Sequence, residues 1–520
     1  MKKRLLISLF LALLVIGSVV IISLTAKKEA QKTAAEANFQ DYWPADGWRT
    51  STPEEQGMDS GVLADMISSI KESGKDVNSI TIIRNGYLVN EVYFYPYPKG
   101  IRHSFNSCTK SVLSALVGTS LMDGGIKSID DKVVDYFPGI SIANADKRKQ
   151  ELRIKNLLNM SAGLTWEIAD NLSTSEMLQS GNWTQHTLDL PMREEPGRNF
   201  NYCNGAAQIL SSIVQNSEGK SAAELASERL NIGIKDMFWG SSPENVSSGY
   251  SGIYAHPDDM ARFGYLYLKN GSWNGRQLIP EDWVKESTRT QIKATWTPLF
   301  PGYGYMWWVN RFGGYAAMGF GGQYVYVVPE SELVVVFTGG LYPVEDLFYP
   351  SELMEKYILP AVKSGAPLEN NPNASKQLKQ ALDTVQKAPL SEPAASLPET
   401  ARRISGKTFV MENSGTYVFQ FKGVNECTID SSSRAIYKVG LDNVFRVTEV
   451  TEGYGGLLNQ NHAAFRGRWT DENTFRAEAQ ILEDGFELIY EAHFEGDRLQ
   501  IKLTSNYLGS DVTLNGRIKE

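Results

Sequence analysis

A run of apolar residues at helical spacing, Val112, Leu113, Leu116, Val117 and Leu121, begins immediately after the stretch S-F-N-S-C-T-K (104–110). The spacing predicts a helix with a buried face, and Gly124-Gly125 supply its stop. This constrains the chain strongly, because the first turn of a buried helix then carries a lysine. Ser107 stands three places before Lys110, nearly one helical turn, so hydroxyl and amine share a face. A serine hydroxyl becomes a useful nucleophile when a base takes its proton, and an amine held this close can be that base. Desolvation at the buried end lowers the lysine pKa toward a neutral amine, and the helix dipole favours negative charge developing at the serine. The same S-x-x-K spacing recurs at Ser68/Lys71 and Ser217/Lys220, where no comparable apolar run follows, and those copies are assigned no role.

The bulk composition bounds the rest. A chain of 520 residues has room for two or three domains, and 42% hydrophobic with 11% aromatic content suits a large core. The net charge of -9 and the lack of a basic run in the body argue against a nucleic-acid partner. Five histidines and three cysteines (Cys108, Cys203, Cys427) show no metal-ligand spacing, so neither a metal nor a cofactor is expected. The odd cysteine count leaves at least one free thiol, and all three read as small buried side chains.

At the N-terminus, Lys2, Lys3 and Arg4 precede an uncharged, mostly apolar stretch from Leu5 to Ala26. Its length matches the ~20 residues that cross a bilayer and exceeds the core of a typical cleaved signal. The expectation is a transmembrane anchor over 1–26, with the body exported and extracellular; if the segment is cleaved, the body is secreted. Residues 27–50 read as a tether. From 51 to 362 strands and helices mix. S-I-T-I-I-R-N-G-Y-L-V-N-E-V-Y-F (79–94) reads as a hairpin turning at Asn85-Gly86, and 324–338 as a second, turning at Pro329–Glu332. Residues 363–400 read as a linker holding one short helix near Ser375–Val385. After 401, short alternating segments with turn signals predict an all-β module, a barrel or a sandwich.

Two further motifs fall in the 51–362 region. In E-E-P-G-R-N-F-N-Y-C-N (194–204), Tyr202 is a candidate general base or proton relay, since a nearby ammonium favours the phenolate. Asn204 offers a donor and an acceptor to a substrate amide. In A-M-G-F-G-G-Q (317–323), glycines at a strand entry let backbone approach a ligand. Acyl transfer needs two N–H donors at the developing oxyanion, and the candidates are the N–H of Ser107 and that of Phe320, beside Gly321. Trp183, Trp307 and Trp308 are candidate cleft or core residues.

The ordered set S-x-x-K, P-G-x-x-F-x-Y-x-N and a Gly-rich strand entry resembles the serine β-lactamase-related family: class C β-lactamases, D-alanyl-D-alanine peptidases, esterases and nylon-oligomer hydrolases. Connecting segments such as L-R-I-K-N-L-L-N-M-S-A-G-L (152–164) and G-I-Y-A-H-P-D-D-M-A-R-F-G-Y-L-Y-L-K-N-G (252–271) add to the likeness, which spans roughly residues 50–345. The resemblance implies an α+β fold, with an antiparallel sheet flanked by helices and a mostly helical subdomain, and the site in the cleft between them. It also implies Ser107 as acylated nucleophile, Lys110 as its base partner, Tyr202 as proton shuttle and Asn204 as a substrate contact.

The chain departs from β-lactamases and penicillin-binding proteins at the third motif, where A-M-G-F-G-G carries no cation to hold a substrate carboxylate. That departure favours a hydrolase of small-molecule or short-peptide esters or amides over a β-lactamase or D,D-peptidase. A surface binding or sensor protein that kept the fold without turnover is the alternative of a different class. No G-x-S-x-G occurs, which excludes the usual α/β-hydrolase elbow. The oligomeric state is not legible.

Overall fold

The computed structural model describes residues 42–168, 172–294, 296–412, 415–423, 425–431, 435–450, 461–505 and 511–519. The membrane-spanning helix expected within residues 1–26 needs correction. No helix among the described residues is long and apolar enough to cross a membrane, and residues 1–41, with the expected anchor and most of the tether, lie outside the described set.

Two long-range sheets dominate the unit Ala45–Glu520. The first has eight strands: β1 (Val77–Arg84), β2 (Tyr87–Tyr93), β3 (Ile292–Lys293), β4 (Gly302–Tyr303), β5 (Trp308–Val309), β6 (Tyr315–Gly319), β7 (Gln323–Val328) and β8 (Leu333–Gly339), in the spatial order β2-β1-β8-β7-β6-β5-β4-β3. All neighbours are antiparallel. Both expected hairpins form: Asn85-Gly86 turns β1 into β2 with both residues at positive φ, and Pro329–Glu332 joins β7 to β8. The β-branched runs of β1, β7 and β8 are buried at every position, as expected of strands covered on both faces.

Helices lie on this sheet and build a subdomain beside it. Among them are α1 (Ser60–Ser73), α2 (Thr109–Asp123), α3 (Asn204–Glu218), α4 (Pro257–Leu268) and α5 (Pro372–Gln386). Helix α4 lies directly on the sheet, where a Cβ on Gly264 would fall 2.6 Å from Val334 Cγ1. Between residues 104 and 238 the chain contributes no strand to the large sheet and forms a helical subdomain around α2 and α3. The short helix expected in 363–400 is α5, a full packed element whose Ala374, Leu378 and Val385 are buried. It lies against α1.

The C-terminal module is a closed β-barrel. Its strands are β9 (Thr408–Met411), β10 (Thr416–Gln420), β11 (Glu426–Ser431), β12 (Ala435–Gly440), β13 (Arg446–Val450), β14 (Asn461–Trp469), β15 (Thr474–Ile481), β16 (Phe486–Glu495), β17 (Arg498–Ser505) and β18 (Val512–Ile518). They pair in the order β12-β11-β10-β9-β18-β17-β16-β15-β14, and a short parallel pairing of Val439-Gly440 with Phe465-Arg466 returns β14 to β12 and closes a nine-stranded ring. Strand β13 pairs beside it on β14. Inward and outward positions alternate, as closure requires: β15 reads half-buried, buried over its whole length.

The barrel is fastened to the sheet domain by the turn between β15 and β16. The Ser104 N–H donates to the Glu483 carbonyl (2.6 Å). The Tyr254 hydroxyl donates to Asp484 (2.8 Å), and Tyr97 to Gln480 (2.9 Å). At Gly340 a Cβ would sit 1.7 Å from the Gly485 carbonyl oxygen, so only glycine admits this contact.

Candidate active site

Ser107 is held by its immediate neighbours. Phe105 is wholly buried and anchors the approach to α2. Asn106 takes a left-handed φ of 45°, a conformation asparagine tolerates better than most residues. Its amide donates to the Phe320 carbonyl (2.9 Å), which ties the serine turn to the end of β6. Residues Asn106–Cys108 form one 3-10 turn that runs into α2, so the Ser107 amide lies at the head of that helix. Helix α2 is buried on every side rather than along one stripe. Its serines are accommodated by bonding to backbone carbonyls, Ser111 to Met306 and Ser114 to Tyr305, each at 2.7 Å.

Lys110 is 1% exposed. Its Nζ lies 3.0 Å from Ser107 Oγ, 2.9 Å from Asn204 Oδ1 and 3.0 Å from the Tyr250 carbonyl oxygen. Burial strips the ammonium of water and lowers its pKa from 10.5 to about 7, and no carboxylate contributes to its surroundings. At neutral pH a substantial fraction is therefore a free amine. Such an amine has two N–H groups, enough for Asn204 and Tyr250, and its lone pair then faces the serine hydroxyl.

Tyr202 completes the group. It is hydrogen-bonded side chain to side chain with Ser107, and its ring centroid is 4.7 Å from Lys110 Nζ. The ring stacks on Trp308 (5.8 Å, 25°) and meets Tyr303 edge-on (6.4 Å). The sequence suggested a phenol eased toward its anion by a lysine ammonium. The structure reverses the direction: burial raises the Tyr202 pKa well above its usual value, more than the bond to Ser107 lowers it. The lysine is itself discharged near neutrality, so it offers little opposing charge. Burial therefore favours the neutral phenol of Tyr202.

Asn204 lines the cleft and is bonded to two side chains within the protein. Its oxygen accepts from Lys110, and its Nδ2 donates to Thr174 (3.1 Å), so it orients the amine. It opens α3, whose N-cap is Cys203: the sulfur accepts from the Ala206 N–H (3.3 Å), taking the place of a capping oxygen. All three cysteines are buried free thiols.

The Gly-rich strand entry lies beside the serine. A Cβ on Gly319 would fall 2.4 Å from the Phe105 carbonyl oxygen and 3.1 Å from Ser107 N, so glycine is required for the approach. Phe320 lines the cleft with Ser107. Gly321 does not; its φ of 79° turns the chain from β6 to β7, so its role is conformational. The Gln323 amide, between the Phe320 and Gly339 carbonyls, braces this turn.

The cleft belongs to a cavity of about 1140 Å³ whose wall carries no lysine or arginine among the described residues. Of the three tryptophans singled out from the sequence, Trp183 lines it, Trp308 supports Tyr202 from behind, and Trp307 is core, packed on Tyr267 and Phe263. Trp296, on the wall and 43% exposed, was not anticipated. Nor were Asn106, Gly319 and the Tyr250 carbonyl. The Asn-before-Ser position and the glycine were visible as letters, whereas a backbone carbonyl leaves no mark in the residue type. Among the described residues no group of acidic, His or Cys side chains is arranged to hold a metal.

Comparison with known proteins bears on this geometry. A curated relative, an uncharacterized protein of Alkalihalophilus pseudofirmus, is 22% identical over 309 residues, 54% of this chain and 89% of its own length. A solved Bacillus anthracis structure, provisionally assigned as a 6-aminohexanoate-dimer hydrolase, is 23% identical with a TM-score of 0.48, covering 56% of this chain and 81% of the other. A D-stereospecific amidohydrolase from Streptomyces sp. is 13% identical with a TM-score of 0.44, covering 56% and 97%. The family model Beta-lactamase matches residues 70–349, more than half of the chain and every residue of the site just described. The chain therefore belongs to the beta-lactamase family of serine hydrolases.

Proposed function

We propose that this chain is an exported hydrolase that cleaves carboxylic esters or amides through an acyl-enzyme on Ser107. The observation that carries the reading is Lys110: a fully buried amine, 3.0 Å from the serine oxygen and lowered to about 7. In the acylation step the Lys110 lone pair takes the Ser107 proton as Oγ bonds to the substrate carbonyl carbon. The N–H groups of Ser107 and Phe320 receive the negative charge that gathers on the carbonyl oxygen. Tyr202, still protonated, gives its phenolic proton to the departing alkoxide or amine, and the Lys110 ammonium restores the phenol. Water then repeats the sequence on the acyl-enzyme, with the same groups returning Ser107 to its hydroxyl. Asn204 positions the amine throughout.

A wall without a cation among its described residues supports this choice over penicillin or peptidoglycan stem peptides, whose carboxylates call for one. The wall carries an acidic side chain, Asp484, and no basic one. Export is supported by the basic-then-apolar N-terminal pattern and is compatible with free thiols that are all buried.

The test is to treat the protein and its Ser107→Ala variant with a fluorophosphonate, a fluorescent penicillin and nitrophenyl acetate, following adducts by intact mass. Ester turnover with fluorophosphonate labelling, both lost in Ser107→Ala, is the expected result. Stable penicillin labelling without ester turnover would transfer the reading to a penicillin-binding protein, and full turnover by Ser107→Ala would remove the nucleophile from it.

A further inference from the structure

The cavity that holds Ser107 does not end at the cleft. It continues into the C-terminal barrel, where Phe419, Phe465, Leu488, Tyr490, Leu503 and Leu514 form part of the same wall. The junction is framed by the turn that fastens the barrel, with Asp484 and Phe486 on one side and Tyr254 on the other, and Ser104 a few residues from the nucleophile.

The other end of the barrel is shut. Trp469, Phe421, Phe475 and Phe494 pack together there, with ring centroids 5.4 to 5.8 Å apart. The short helix α6 (Glu399–Ile404) lies over them with Ala401 and Ile404 wholly buried in the barrel core. It is pinned to the strand connections at that end: the Thr400 hydroxyl donates to Asn473, the Arg403 guanidinium to the Gly496 carbonyl, and Ser405 accepts from the Phe421 N–H. Among the described residues, the lumen is thus an apolar space that is packed over at this end and joins the active-site cleft at the other.

Protein interiors are normally packed without voids, and an empty apolar cavity destabilises a fold in proportion to its volume. Cleft and lumen together measure about 1140 Å³, just above the roughly 300–1,000 Å³ of an ordinary small-molecule pocket. Its wall offers burial to an apolar chain and no charge to a polar headgroup beyond the junction.

We infer that the barrel lumen is the acyl-chain site of this hydrolase, so that its substrates are esters or amides of long, unbranched apolar carboxylic acids. This deepens the proposed serine-hydrolase reading and rests on it. The chain belongs on the acyl side because Tyr202, the donor to the leaving group, comes from the helical subdomain. The barrel junction is bonded instead to Ser104 and Tyr254. No bond is made or broken in the lumen. Its contribution is to place the carbonyl over Ser107 by burying the chain behind it, which raises kcat/KM with chain length.

The test uses the full chain. Nitrophenyl esters from acetate to decanoate are compared in the wild type, in Leu503→Trp and in Leu514→Trp, each of which adds bulk to the lumen wall. The wild type is expected to gain up to about fourfold in kcat/KM for each added methylene that enters the tunnel. The decanoate-to-acetate ratio is expected to fall by roughly tenfold or more in either variant, while fluorophosphonate labelling of Ser107 reports an intact site. In parallel, the Ser107→Ala protein is titrated with a fluorescent polyene fatty acid (cis-parinaric acid), which should bind, and bind more weakly when Leu503→Trp is added. Efficient acetate turnover with a flat chain-length series would overturn the lumen assignment and leave the serine hydrolase standing. A preference for long alcohols over long acids would overturn the acyl-side assignment. No turnover and no fluorophosphonate adduct would sink the hydrolase reading, and in that case absence of fatty-acid binding would sink the lumen as well.

Discussion

Strand β1 of the sheet is buried at all 8 of its positions, whereas β15 of the barrel alternates half-buried and buried along its 8. Both pair antiparallel with their neighbours, and both come from one chain. The sheet is sandwiched by helices, so each face of β1 meets side chains and the region is solid. A barrel wall has water on one face and its own interior on the other, and nine strands enclose more interior than their side chains fill. The solid region can hold Lys110, Ser107 and Tyr202 in fixed register, as acyl transfer requires. The hollow region can accommodate a guest. The difference teaches that positional precision and capacity are supplied by two different architectures joined at one turn.

The most severe way to break the contrast is Ser107→Ala. It is expected to cut ester turnover by about 10⁴ or more and abolish the fluorophosphonate adduct, with no change in thermal unfolding. Turnover within a few-fold of wild type would relocate the chemistry. Next, Phe494→Ala removes a wholly buried ring from the closed end of the barrel, where it meets Phe409, Phe419 and Trp469. Denaturant unfolding should show a loss of about 3–5 kcal/mol, with acetate turnover per folded molecule retained. A matching loss of acetate kcat/KM would show that the barrel and the site are not separable.

The pH dependence sharpens the solid side. The neutral amine is the active form of Lys110, and protonation removes it, so acetate kcat/KM should be level above about 7 and fall about tenfold per unit below it. The Tyr202 phenol, held high, contributes no descending limb near neutrality. A profile independent of pH from about 5 to about 9 would exclude the amine as base. The smallest effect is expected from Cys203→Ser, which exchanges a capping sulfur for a capping oxygen at the start of α3. Stability should rise by about 1 kcal/mol or less and kcat/KM should stay within a few-fold; a large activity loss would give the thiol a part that the geometry does not assign.

Much of the site was legible because its chemistry is encoded in short spacings. Ser107 and Lys110 share one helical turn, and Tyr202 and Asn204 bracket the cap of α3. The Gly-rich entry was legible too, though the residue that must be glycine beside the serine is Gly319, and Gly321 serves the turn. The bonds of Asn204 to Lys110 and Thr174 were not legible, because residue type shows that an amide can donate and accept, not which neighbour claims each group. The state of Tyr202 was misjudged because a spacing argument counts nearby charge and cannot count lost water. Alternation revealed the β module but left barrel and sandwich equal, since closure rests on one parallel pairing between Val439-Gly440 and Phe465-Arg466.

By itself, then, residue order picked out Ser107, Lys110, Tyr202 and Asn204, which the fold brings together, and showed which segments are helix, buried strand or alternating strand, because these depend on periodicities of a few residues. Only the tertiary structure decided the protonation states of Lys110 and Tyr202, the closure of the barrel, and the joining of its interior to the serine. Each of those depends on how much water remains around a group, or on contacts between segments hundreds of residues apart, and neither is a property of local sequence.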